Sequence, residues 1–273
     1  MASRLARTTT LLISGLIALT LAAAPLRADP DQPLTLRYGV YWAGLQIATL
    51  VLDHRIDASQ YHSELLVSTV GLLEKLAHYR SKTLAAGRLE ADESLTPITF
   101  SSESSSRKKD RRAVVRFDRA SGDVVDLEIT KRGKPDRSKV PDELRKNVTD
   151  PLTAFFQLRD HVASAVAREP FTAAVFDGRR RYDVKAAVTD RERVWVAGRE
   201  RDVVRVGITL TLLAGADLDD LELDANRLKL ELLLSDDERL LPLRMELLDG
   251  TPAVSIELLQ DCSGEAGCQM AAR

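Results

Sequence analysis

Strict alternation of apolar and polar residues is the feature that most limits this chain, because it recurs almost everywhere after residue 34. Leu36, Tyr38, Val40 and Trp42 alternate with Arg37, Gly39 and Tyr41. Ala113, Val115 and Phe117 oppose Arg112 and Arg116, while Val125, Leu127 and Ile129 alternate with Asp126, Glu128 and Thr130. Successive strand residues point to opposite faces, so a period of two describes sheets with one wet and one buried face. The pattern continues from Tyr182 to Val188, Val204 to Leu212, Leu228 to Leu234, Leu243 to Leu247 and Val254 to Leu258. Leucine is not a strong strand former, yet Lys229 and Glu231 alternate with Leu228, Leu230 and Leu232. A helix would scatter those charges around its circumference, so the segment reads as strand.

Turn chemistry separates the runs. Ala43-Gly44, Arg119 to Gly122, Asp177-Gly178 and Asp249-Gly250 lie between them. At the two Asp-Gly pairs a type I′ turn, with positive φ at both central residues, is expected. One segment departs from the alternation. Asp150-Pro151 has the form of an N-cap followed by Pro at the first helical position. Leu152, Phe155, Phe156, Val162, Ala163 and Val166 then recur at helical spacing, with Arg159 at the margin of the stripe. A second short helix or bend is expected around Gly71 to Ala77, and residues 131–149 read as a long exposed loop. The fold class is therefore all-β and mainly antiparallel. It is expected to be a curved β spiral or open barrel of about thirteen strands with one helix near 150–167. The strand grammar is the same on both sides of the loop, so residues 29–273 are read as one β domain.

The N-terminus carries an address. Arg4 and Arg7 precede an apolar stretch from Leu11 to Ala24, and no acid occurs before Asp29. Fourteen residues are too few for a membrane span but suit a secretory signal, with cleavage expected after Ala28. The alternative is an uncleaved anchor. Removal of residues 1–28 takes three arginines and no acid, shifting the formal charge from −2 to −5. No global basic field then points to nucleic acid. No later apolar run is long enough to span a bilayer as a helix. Arginine exceeds lysine as in proteins of GC-rich bacteria, so with the secretory signal the expected location is a bacterial periplasm; a monomer is expected.

Chemistry-bearing motifs are sparse. His54 and His62 flank a turn and could approach each other, but with His78 and His161 they form no zinc-ligand spacing, and ordinary surface histidines are expected. No G-x-S-x-G elbow occurs. The run Ser101 to Ser106, followed by Arg107, Lys108, Lys109, Asp110, Arg111 and Arg112, reads as a strand end, a charged turn and a strand start. Its functional reading is a patch for anionic lipid headgroups or phosphate. Arg179, Arg180 and Arg181 follow the Asp-Gly turn; guanidinium forks bind carboxylate and phosphate, so these three are anion-site candidates. The competing reading pairs them with neighbours such as Asp183. Cys262 and Cys268 enclose Ser-Gly-Glu-Ala-Gly and are expected to form a local disulfide after export; intermolecular pairing or free thiols are the alternatives. No cofactor and no metal are expected.

Tyr38 to Leu50, Val70 to Leu76, Asp150 to Arg159 and Val175 to Val184 together resemble an exported bacterial family known only as a domain of unknown function. The resemblance runs from about residue 34 to residue 260. It implies a curved antiparallel spiral or open barrel around a helix, similar in outline to periplasmic lipoprotein carriers and envelope-integrity proteins, and it carries no catalytic residues. The expected function is non-catalytic. The protein would bind an apolar ligand, or a partner in envelope assembly such as a lipid, lipoprotein or envelope protein. The leucine-rich strands from 228 to 258 would suit an apolar wall, though each leucine could equally be ordinary core. Alternatives are a hydrolase with dispersed catalytic groups and a purely structural interaction protein.

Overall fold

The structure is a computed structural model, described here for residues 33–164, 169–215, 227–248 and 253–263. The expected signal segment 1–28, the Asp249-Gly250 turn and Cys268 lie outside these residues. Fourteen strands form one antiparallel sheet. The first eight are β1 (Leu34–Trp42), β2 (Leu45–Asp57), β3 (Gln60–Thr69), β4 (Arg80–Leu89), β5 (Leu95–Ser105), β6 (Asp110–Phe117), β7 (Val124–Lys131) and the short β8 (Lys134–Pro135). The remaining six are β9 (Phe171–Phe176), β10 (Arg181–Val196), β11 (Arg199–Ala214), β12 (Arg227–Ser235), β13 (Pro242–Leu247) and β14 (Val254–Asp261). Among the described residues two α-helices interrupt them, α1 (Gly71–Leu76) and α2 (Pro151–Ala163), with a short 3-10 turn at Asp142–Arg145.

Sheet order is a meander in each half, joined where β1 pairs with β14, so that β8 and β9 are the two edges. Those edges are not laddered to each other. A single segment stitches the β6–β7 turn to β9 instead: Val148 donates its N–H to the Gly122 carbonyl, and Thr149 donates to Ala174 while accepting from Phe176. Residues 131–149 are therefore not simply an exposed loop, because Val140 and the stitch residue Val148 are buried. At the adjoining β9–β10 turn only Gly178 takes positive φ, not both central residues, so the expected type I′ geometry is absent. A side chain at Gly178 would put its Cβ 2.7 Å from the Cβ of Ala113, so the turn packs directly on the inner face of β6.

Helix α2 fills one end of the rolled sheet. Asp150 caps it, accepting from the Leu152 and Thr153 amides at 2.9 Å each and from the Thr153 hydroxyl at 2.5 Å. Leu152, Thr153, Ala154, Phe156, Leu158 and Val162 are buried, which places buried positions all around the helix rather than on one stripe. Phe156 joins the cluster of Leu36, Tyr61 and Phe100, whereas Ala154, Leu158 and Val162 join that of Val206, Leu232 and Leu234. The helix ends at Ala163, short of the expected 167. Ser164 turns extended there, and both its amide and its hydroxyl bond the His161 carbonyl. Helix α1 is the expected short helix and buries none of its residues.

Candidate ligand-binding concavity

The residues that line the floor come from β2, β3 and α2. His54 stacks on Phe156 with ring centroids 3.6 Å apart, and its Nδ1 meets the Ser63 hydroxyl at 2.8 Å. Tyr61 meets the Thr153 hydroxyl at 2.6 Å, linking the strand to the helix cap. Burial, reinforced by the Arg159 charge, pushes the His54 imidazole down to about 3, so it is neutral. Burial likewise raises the Asp150 carboxyl to about 6 against the hydrogen bonds it accepts. His62 pairs with Arg55, not with His54, and therefore points to the outer face. The two histidines have even numbers on antiparallel strands whose paired positions sum to an odd number, so they cannot share a face.

Beyond this floor the inner face opens, and strands β11 to β14 show the same gradient. On β14 Leu258 is buried while Ile256 and Val254 are half-buried. On β13 the sequence is Leu243, then Met245 and Leu247; on β12 it is Leu234 and Leu232, then Leu230 and Leu228. On β11 Val206 and Ile208 give way to Leu210 and Leu212, and on β2 Leu52 gives way to Leu50. These positions face one another across the ladders, as in Ile256 with Met245, Met245 with Leu232, and Leu230 with both Leu247 and Ile208. The leucine-rich strands are thus core where α2 covers them and the wall of an apolar concavity where it does not.

The other half of the same opening is polar. Buried Ala85, Phe100, Val115 and Ile129 are followed toward the mouth by Thr83 and Ser81 on β4, Ser102 and Ser104 on β5, Arg111 on β6 and Lys131 on β7. Arg179 is brought beside Arg111 because its turn packs on β6. Burial and then the like charge of Arg111 depress its guanidinium. Asp136 lies 3.8 Å away. Among the described residues, Arg179 Nη1 and Arg111 Nε are buried without a hydrogen-bond partner. Of the three expected anion candidates, Arg179 is the one placed beside Arg111, although Arg181 also has buried guanidinium N–H groups without a hydrogen-bond partner. Arg181 turns to Asp183 at 2.8 Å, as the competing reading expected, and Arg180 is exposed. Arg111 lies in the basic run whose functional reading is an anion patch, but no local signal ties it to Arg179 in the second half of the chain. Cys262 is buried, and its expected partner Cys268 lies outside the described residues.

Outside the barrel the surface is wet. A cleft of about 900 Å³ follows the seam past Thr172, Asp183, Lys185 and Thr211. Ion-pair ladders such as Arg205 with Glu192 and Glu231 cover the sheet. Among the described residues, no helix is long and apolar enough to cross a membrane.

One open antiparallel sheet, rolled about a capped helix and stitched by three backbone hydrogen bonds of Val148 and Thr149, defines a β-barrel-like protein with an amphipathic mouth. The family model for DUF3108, proteins of unknown function, matches residues 37–258, and the chain belongs to that family. No curated protein matches it. A solved β-barrel-like protein of domain of unknown function DUF1849 from Brucella abortus is 12% identical, with a TM-score of 0.50 over 86% of this chain and 97% of that one. That likeness supports the fold alone. A candidate lipoprotein from Parabacteroides distasonis (7% identity, TM-score 0.33, covering 86% and 97%) is more distant. So is a candidate exported protein with a YMCC-like fold from Bacteroides fragilis (6%, 0.34, 88% and 99%).

Proposed function

We propose that this chain is a non-catalytic binding protein of the bacterial envelope, exported to the periplasm, that holds an amphipathic anion in its open end. The acyl part lies against the leucine wall of β11 to β14, and the acidic group lies at Arg111 and Arg179. The observation that carries this reading is the division of one mouth into an apolar half and a hydroxyl-and-arginine half. Half-exposed leucines facing one another remain hydrated until an apolar ligand covers them, and each buried methylene contributes about 0.8 kcal/mol, or roughly fourfold in affinity. Two close guanidiniums repel each other and each keeps a buried N–H without a hydrogen-bond partner, so an anion between them relieves both costs. Export is supported by the basic, apolar and small-residue order of residues 1–28.

Native mass spectrometry of the mature protein, purified gently from its own periplasm, tests the reading and separates fatty acid from phospholipid by adduct mass. Delipidated protein is then titrated with fatty acids of increasing chain length. Affinity is expected to rise with each methylene and to fall about tenfold or more in Arg111→Gln and Arg179→Gln, as for loss of a charge-assisted bond. A bare monomer mass, together with no uptake of any fatty acid or lysophospholipid, would overturn the proposal.

A further inference from the structure

The turns at the open end carry features that cargo binding does not need. Trp42, Leu45, Leu72 and Leu76 are 48, 69, 72 and 63% exposed, and all four lie on the β1–β2 and β3–β4 tips. Helix α1 presents Leu72 and Leu76 without burying a single residue. Beside them stand Arg107, Lys108 and Lys109 on the β5–β6 tip, then Arg132 and Lys134 on the β7–β8 tip. None of these five cations has an ion-pair partner among the described residues. Arg112, Arg116, Arg205 and Arg244 on the outer face are all paired. The acids on these tips are Glu74, occupied by the Thr69 hydroxyl and His78, and Asp110.

The tips form one physical rim. Val70 donates to the Ile47 carbonyl at 2.9 Å, Arg107 to Ala77 at 3.1 Å, and Arg132 to Asp110 at 2.8 Å. All five of these cations lie on tips of the β1–β8 half of the sheet order, so the basic arc is local to that side. Apolar tips that enter the acyl boundary, flanked by free cations at headgroup level, are the combination that binds an anionic bilayer surface.

We infer that this rim docks on anionic membrane lipid, with Trp42, Leu45, Leu72 and Leu76 inserting and the 107–109 and 132–134 cations meeting phosphates. The inference deepens the proposed function, since docking places the mouth of the concavity against its source of acyl ligand. It fails separately from that function.

Two tryptophans make the test direct, because Trp195 stands at the opposite end, on the β10–β11 hairpin. In Trp195→Phe, Trp42 is the sole reporter; in Trp42→Phe, Trp195 is. With phosphatidylglycerol–phosphatidylcholine vesicles, Trp42 emission is expected to shift blue and to be quenched by brominated acyl chains, while Trp195 is unchanged. Pure phosphatidylcholine should give little shift, and added salt should reverse it. Each of Lys108→Gln and Lys109→Gln should lower partitioning about fivefold, and Leu72→Ser with Leu76→Ser should abolish quenching. These side chains are exposed, so unchanged urea midpoints are expected for every variant. Arg111→Gln should keep vesicle binding while losing ligand. An unresponsive Trp42, equal responses from both tryptophans, or binding indifferent to the lysine and leucine changes would overturn the docking surface.

Discussion

Replacing His54 by glutamine should change how stability depends on pH, and the size of the change follows from its surroundings. The imidazole is almost completely buried against Phe156 and Ser63, and burial lowers its pKa from 6.5 to about 3. The unfolded chain therefore binds a proton below pH 6.5 that the folded chain refuses until about pH 3. Because the unfolded state binds more protons, stability falls with decreasing pH, by about 1.4 kcal/mol per unit across this window. Loss of the ring stack and one hydrogen bond should cost His54→Gln about 2 kcal/mol near neutral pH. The variant has no imidazole, so that deficit shrinks on acidification and reaches zero near about pH 5. Asp150 acts with the opposite sign. Its folded pKa is raised to about 6, so its contribution is fully present below 3.8 and is lost as pH rises through 6. Both proteins share that term, and the difference between them removes it. Urea unfolding of the pair at matched pH values measures the gap directly. A constant gap down to about pH 4.5 would show that His54 takes up its proton while folded, and the buried-neutral account would be wrong.

Three further outcomes are expected. Phe156→Ala should cost about 3–5 kcal/mol in urea unfolding, because the ring is 1% exposed between the sheet and His54; a loss below about 1 kcal/mol would mean that α2 does not fill the barrel. Gly178→Ala introduces a Cβ 2.7 Å from that of Ala113 at a φ of +85°, and should cost about 1–3 kcal/mol. Hydrogen exchange should accelerate at Thr149 and Phe176, whose amides form the stitch, while β3 and β4 amides keep their protection. In the mature oxidised protein, denaturation without reductant should leave Cys262 and Cys268 unreactive toward alkylation, and labelling of both would refute their pairing.

Much of the architecture was legible in the chain because it is set by local periodicity. Leu228, Lys229, Leu230 and Glu231 show strand alternation wherever the strand is placed, and Asp150-Pro151 marks a helix start by its own hydrogen-bonding needs. The strand count differed by one because β8 is only Lys134–Pro135, too short to carry a period. The helix stripe was legible only in part, since a helix enclosed by a sheet buries Thr153 and Leu158 as well as its most apolar face.

The sequence by itself determined the alternation, the capped helix and the turn positions, all of which depend on neighbours a few residues apart. Tertiary structure alone decided which half of each leucine strand is core and which is wall, because that depends on how far α2 reaches. It also brought Arg179 to Arg111, through a glycine turn that must press on β6. Finally, it gathered Trp42, Leu45, Leu72 and Leu76 with the 107–109 cations on one rim. In an antiparallel meander the alternate turns all emerge at the same end, so residues distant in sequence become neighbours only when the sheet rolls up.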